Sequence, residues 1–113
     1  HAPPPSTGKA EQRWYNIRLW LSDHLGRPLT RELVAGTFDI SPTYLTRLCR
    51  KQTGLSFQQY LQQLRVQRAQ LLLADSKLKI AHIAGLCGFT TARYFSHVFR
   101  EAVGCTPSEY RER

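Results

Sequence analysis

The chain repeats itself. Tyr44-Leu45 matches Tyr94-Phe95, and Leu48-Cys49-Arg50 matches Val98-Phe99-Arg100. Gly54, Ser56 and Tyr60 match Gly104, Thr106 and Tyr110, all at an offset of 50. Upstream the offset is 49: Val34 pairs with Ile83, Ala35 with Ala84, Ile40 with Phe89 and Ser41 with Thr90. One extra residue is therefore expected just after the second cap, between Thr90 and Tyr94. So ordered a match points to two copies of one supersecondary unit. Each copy is a short helix carrying Ala, a tight turn, and an amphipathic helix opened by Ser or Thr. That is the helix-turn-helix pattern, in which a small residue lets the two helices cross closely.

The rest of the chain reads as helices around this repeat. Trp14, Ile17, Leu21 and Leu25 recur at helical spacing until Gly26. Thr30 caps a second helix that ends near Thr37, with Leu29 and Val34 set as a hydrophobic staple. Ser41-Pro42 supplies an N-cap followed by Pro at the first helical position, and Gly54 ends that third helix. Ser56 opens the longest helix, near Phe57 to Ala74, with an inner stripe of Phe57, Tyr60, Leu61, Leu64, Ala69, Leu71 and Leu72. It spans about 25 Å, against about 34 Å between successive major grooves on one face of DNA. A fifth helix runs near Ile80 to Leu86, a sixth from a Thr90 cap to about Val103, and a short last one follows Thr106-Pro107. The expected fold is all-α, with about seven helices in two helix-turn-helix subdomains joined by a long linker helix. Its divisions are residues 1–8 as a linker or tag remnant, 9–55 as the first subdomain, 56–75 as the linker helix and 76–113 as the second subdomain.

Charge narrows the partner. Sixteen Lys and Arg stand against 8 acidic residues, a formal net charge of +8 in 113 residues, and twelve of the sixteen are Arg. The excess suits a polyanion. A hydrophobic content of 42% excludes a disordered polycation. No apolar run is long enough to span a membrane. Three widely spaced cysteines, Cys49, Cys87 and Cys105, form no disulfide framework and suggest a reducing, cytoplasmic setting. A start at His1, with no Met anywhere, points to an upstream domain not included in the chain.

The faces of the first amphipathic helix separate core from contact residues. Tyr44, Leu45 and Leu48 are expected inside, and Thr43, Thr46, Arg47 and Arg50 on or beside the other face. Arg47 is the best base reader, because a guanidinium pairs bidentately with guanine. Thr43 and Thr46 suit a thymine methyl or a phosphate, and Arg50 and Lys51 suit phosphates.

From Trp14 to Arg111 the chain resembles the DNA-binding domain of the AraC/XylS family of bacterial transcription regulators. Ser41-Pro42-Thr43-Tyr44-Leu45-Thr46-Arg47-Leu48, Thr53-Gly54-Leu55-Ser56-Phe57 and Leu64-Arg65 carry the likeness in the first half. Ile83-Ala84, Gly88-Phe89, Tyr94-Phe95-Ser96, Phe99-Arg100, Gly104, Thr106-Pro107-Ser108 and Tyr110-Arg111 carry it in the second. The resemblance implies double-stranded promoter DNA as partner and, less directly, RNA polymerase contact and activation of transcription. Effector sensing and dimerisation would belong to the missing N-terminal domain. It also places Ala92, Arg93 and His97 at base-facing positions of the second recognition helix, with Arg100 either a phosphate contact or structural. Arg65, at a position the family keeps basic, is expected in a structural ion pair. Asp39 stands where the first turn commonly has Gly, a conformation Asp tolerates. Cys49 replaces a usual core Phe. Lys79 and His82 remove the usual capping box of the fifth helix.

Other functions find little support in the residues. His82, Cys87, His97 and Cys105 form no zinc-finger spacing, so no metal or other cofactor is expected. No nucleophile, acid and His combine into a catalytic set, so the chain reads as no enzyme. A helical protein-interaction module without specific DNA binding is the alternative.

Overall fold

The computed structural model of the protein describes residues 8–113. The expected linker at the start therefore lies, but for Gly8, outside the described residues. Regular structure among these residues is entirely helical: α1 (Lys9–Asp23), α2 (Arg31–Thr37), α3 (Pro42–Thr53), α4 (Phe57–Asp75), α5 (Ile80–Leu86), α6 (Ala92–Val103) and α7 (Pro107–Arg111). They divide into two compact units. The first holds the described residues to His24 together with Leu29–Leu61, and the second holds Leu25–Pro28 with Gln62–Arg113.

In the first unit, α1 buries Trp14, Ile17 and Leu21. The helical spacing that continues to Leu25 misleads, because α1 stops at Asp23. Leu25 is buried, but within the second unit. The Thr30 hydroxyl accepts the Leu33 N–H at 3.0 Å and opens α2 as expected. Val34 and Ala35, fully buried, pack the inner side of this short helix. Asp39 takes the left-handed conformation, φ 55°, at the turn into α3. Ser41 accepts the Tyr44 N–H, Pro42 begins the helix, and Gly54 ends it at φ 78°. Leu45, Leu48 and Cys49 are buried. The buried Cys49 thiol lies 3.5 Å from the Leu55 carbonyl oxygen. Reciprocal bonds between Ser56 and Gln59 cap α4, whose Phe57, Tyr60 and Leu61 complete this core.

In the second unit the buried residues of α4 are Val66, Ala69 and Leu73. Ala69 lies on the expected inner stripe, whereas Val66 and Leu73 lie off it. Leu71, placed inside by that stripe, is 61% exposed, and Leu72 is only partly buried. One helix here serves two cores, so no single stripe describes it. Val66, Ala69 and Leu73 pack with Ile83, Ala84, Cys87, Phe89, Phe95, Val98 and Phe99. Lys79 gives α5 no side-chain cap, in keeping with the missing capping box.

The cap of α6 is Thr91, not Thr90: its hydroxyl accepts the Tyr94 N–H at 3.0 Å. The true counterpart of Ser41 is therefore Thr91, at the offset of 50. The extra residue lies in the turn before the cap rather than after it, and α3 and α6 align without a gap. A capping box between Thr106 and Glu109 opens α7.

Arg65 joins the segment Leu25–Pro28 to α4. It donates from Nε to the Leu25 carbonyl oxygen at 3.2 Å and from a terminal nitrogen to the Arg27 carbonyl oxygen at 3.0 Å. The expected ion pair is thus a clasp on backbone carbonyls. Gly88, at φ 90°, leaves the space it needs: a Cβ there would meet the Leu25 oxygen and lie 2.7 Å from Arg65 Nε.

Candidate nucleic-acid interface

Aligned at the offset of 50, α3 and α6 bury the same positions. Leu45, Leu48 and Cys49 answer Phe95, Val98 and Phe99, all buried. The outward positions answer one another as well: Thr43 with Arg93, Thr46 with Ser96, Arg47 with His97, Arg50 with Arg100 and Lys51 with Glu101. Thr43, Arg47, Arg50 and Lys51 are exposed on α3, and Arg93, His97 and Arg100 on α6. Ala92, at the first position of α6, is half-buried.

Each helix thus offers a polar strip backed by an apolar core. The α3 strip carries three cations, Arg47, Arg50 and Lys51. That of α6 carries two, Arg93 and Arg100, with Glu101 where the first has Lys51. The first face is therefore the more strongly attractive to phosphates.

Tyr44, expected in the core, is only half-buried. Arg47 lies over its ring, 5.9 Å from guanidinium carbon to centroid, so the tyrosine supports the arginine from beside the core. Its counterpart Tyr94 is 51% exposed.

Thr46 is also half-buried, and its hydroxyl is engaged on both sides. It donates to the Pro42 carbonyl oxygen at 3.1 Å and accepts from Arg31 Nη1 at 3.1 Å. Arg31 belongs to α2, and no spacing or motif in the sequence marks it. Fifteen residues separate it from Thr46, so only the crossing of α2 over α3 brings them together.

The start of α7 is closed within the chain. The Thr106 N–H donates to Glu109 Oε1 at 2.8 Å, and its hydroxyl accepts the Glu109 N–H at 3.1 Å. These bonds from Thr106 hold the Glu109 carboxyl below the usual glutamate range, so a negative charge already sits at that helix start. Arg65 is turned to carbonyls within the second unit, and burial lowers its pKa.

Burial pushes the Cys87 thiol up to about 11 and raises that of Cys49 as well. Both behave as small hydrophobes. Among the described residues no group of three or more His, Cys, Asp and Glu side chains is placed to hold a metal ion. None of the described helices is long and apolar enough to cross a membrane.

Comparison with known proteins agrees with this architecture. Residues 34–113 match the family model described as Helix-turn-helix domain. The HTH-type transcriptional activator RhaR of Cronobacter sakazakii is 36% identical across 100% of this chain and 40% of its own length. The C-terminal domain of AraT, a response regulator from Geobacillus stearothermophilus, has 33% identity and a TM-score of 0.85, covering 93% of this chain and 88% of that one. The DNA-binding domain of AdpA, solved in complex with a target DNA, has 31% identity and a TM-score of 0.82, covering 87% of this chain and 88% of that one. The chain spans 34–40% of the length of the curated relatives it matches. With its paired helix-turn-helix units and these matches, the chain belongs to the AraC/XylS family of helix-turn-helix transcription regulators.

Proposed function

We propose that the chain binds double-stranded promoter DNA sequence-specifically, with α3 and α6 each entering a major groove, and that it activates transcription. The observation that carries this reading is the shared pattern of the two helices: the same positions buried, and cations on both outward strips. The DNA complex of AdpA and the activator RhaR support it by similarity.

Arg47 reads guanine bidentately, and Arg93 and His97 read bases from α6. Thr43 and Ala92 contribute short contacts, and Arg50, Lys51 and Arg100 hold phosphates. Contact with RNA polymerase accompanies activation. Effector sensing and dimerisation belong to parts of a longer protein outside the span matched here. The subdomains are read as residues 9–55 and 76–113, with 56–75 as the helix between them.

Affinity for a random duplex, titrated against salt, tests the reading. Binding that weakens steeply as salt rises is expected from phosphate contacts. Absence of binding even at low salt would remove the DNA function and leave a helical protein-interaction module.

A further inference from the structure

We propose that Arg31 is a positioning residue for the DNA-reading face, and that it makes Thr46 an apolar reader. The inference rests on the DNA-binding reading above. A threonine beside a base can offer a hydroxyl or a methyl. Here the hydroxyl has no proton left to give, since it goes to the Pro42 carbonyl oxygen, and one of its two lone pairs already takes Arg31 Nη1. With the donor gone and the oxygen occupied on one side, the methyl becomes the main group for DNA, one that suits a thymine methyl.

Arg31 is held in turn. Its Nη2 lies 3.4 Å from Glu32 Oε2, with the two side chains 47% and 66% exposed. So exposed a pair adds little stability. It does draw one end of the guanidinium toward Glu32 while the other end meets Thr46. α2 thereby has a part in recognition beyond packing: its first residue sets which chemical group α3 shows at position 46.

The test is a double-mutant cycle on the duplex that the parent chain selects from a random pool. Thr46→Val keeps the methyl and removes the hydroxyl, and is expected to bind within about twofold of the parent. Thr46→Ser keeps the hydroxyl and removes the methyl, and is expected to lose about fourfold, the worth of one buried methylene. Replacing each thymine by uracil in turn should find one position that weakens the parent and Thr46→Val but leaves Thr46→Ser unchanged. Arg31→Ala frees an acceptor lone pair of the hydroxyl, so it should shift base preference at that position, and the shift should vanish in the Thr46→Val background.

A tenfold loss for Thr46→Val would overturn the proposal, because the hydroxyl would then be the reader. An equal effect of Arg31→Ala in both backgrounds would also overturn it and make Arg31 an independent phosphate contact. No effect of Arg31→Ala in either background would sink it too. Circular dichroism melts confirm that each variant is folded before it is scored. Failure of the parent to bind any duplex would instead refute the DNA reading itself, which separates the two.

Discussion

A recognition helix sorts its residues by what they can bond. Arg47 has a planar fork of donors and a tyrosine ring beneath it. Lys51 is a point charge at the end of α3. Replacing Arg47 with Ala should cost about 1–3 kcal/mol on the preferred duplex and much less on random DNA. Lys51→Ala should weaken both equally and lower the salt slope by about one. Competition binding at two salt concentrations distinguishes them. The cysteines give a second check at this scale. Cys87 and Cys49 are fully buried with raised pKa values, whereas Cys105 is partly exposed. Iodoacetamide near neutral pH should label Cys105 first, as mass spectrometry would read directly, and labelling of Cys87 in the native chain at the same rate would contradict the buried placement.

At the scale of elements, small devices hold each helix in place. Gly88→Ala would drive a methyl into the Leu25 carbonyl and Arg65 at a positive φ. It should cost about 2 kcal/mol or more in urea unfolding. Arg65→Ala should destabilise as well, leaving the Leu25 and Arg27 carbonyls without their donor. The α7 capping box carries a pH signature. Because Glu109 is held below its ordinary pKa, its contribution is present above the unfolded value of about 4.3 and is lost as pH falls through the lower folded value. Glu109→Gln can keep the hydrogen bond without the charge. On acidification from pH 6 to pH 3, its melting temperature should fall less than that of the parent.

Helix starts and stops were the most legible part of the sequence, since caps act locally. Thr30, Ser41 and Ser56 announce themselves through side chains that bond three residues on, and Gly54 through its left-handed backbone. Two adjacent threonines defeated the same logic at α6. Thr90 and Thr91 carry identical chemistry, and only backbone geometry selects Thr91. The stripe along α4 failed for a different reason. A periodic pattern presumes one core, whereas Leu61 packs with the first unit and Val66 and Leu73 with the second. Arg31 stayed hidden because its role depends on a contact between two helices rather than on spacing within one.

The whole molecule is two similar units that differ in charge. Glu101 stands where the first unit has Lys51. The preferred DNA site should therefore be asymmetric, with the α3 half contributing the larger share of the salt dependence. The central claim is that one chain carries two independent reading faces. Selection of sites from a random duplex pool, run in parallel for the parent, Arg47→Ala and the double variant Arg93→Ala with His97→Ala, tests it most directly. The parent should enrich a site with two blocks of preferred bases. Arg47→Ala should flatten one block and leave the other, and the α6 variant should do the reverse. A single block, or the loss of both blocks in either variant, would contradict the claim.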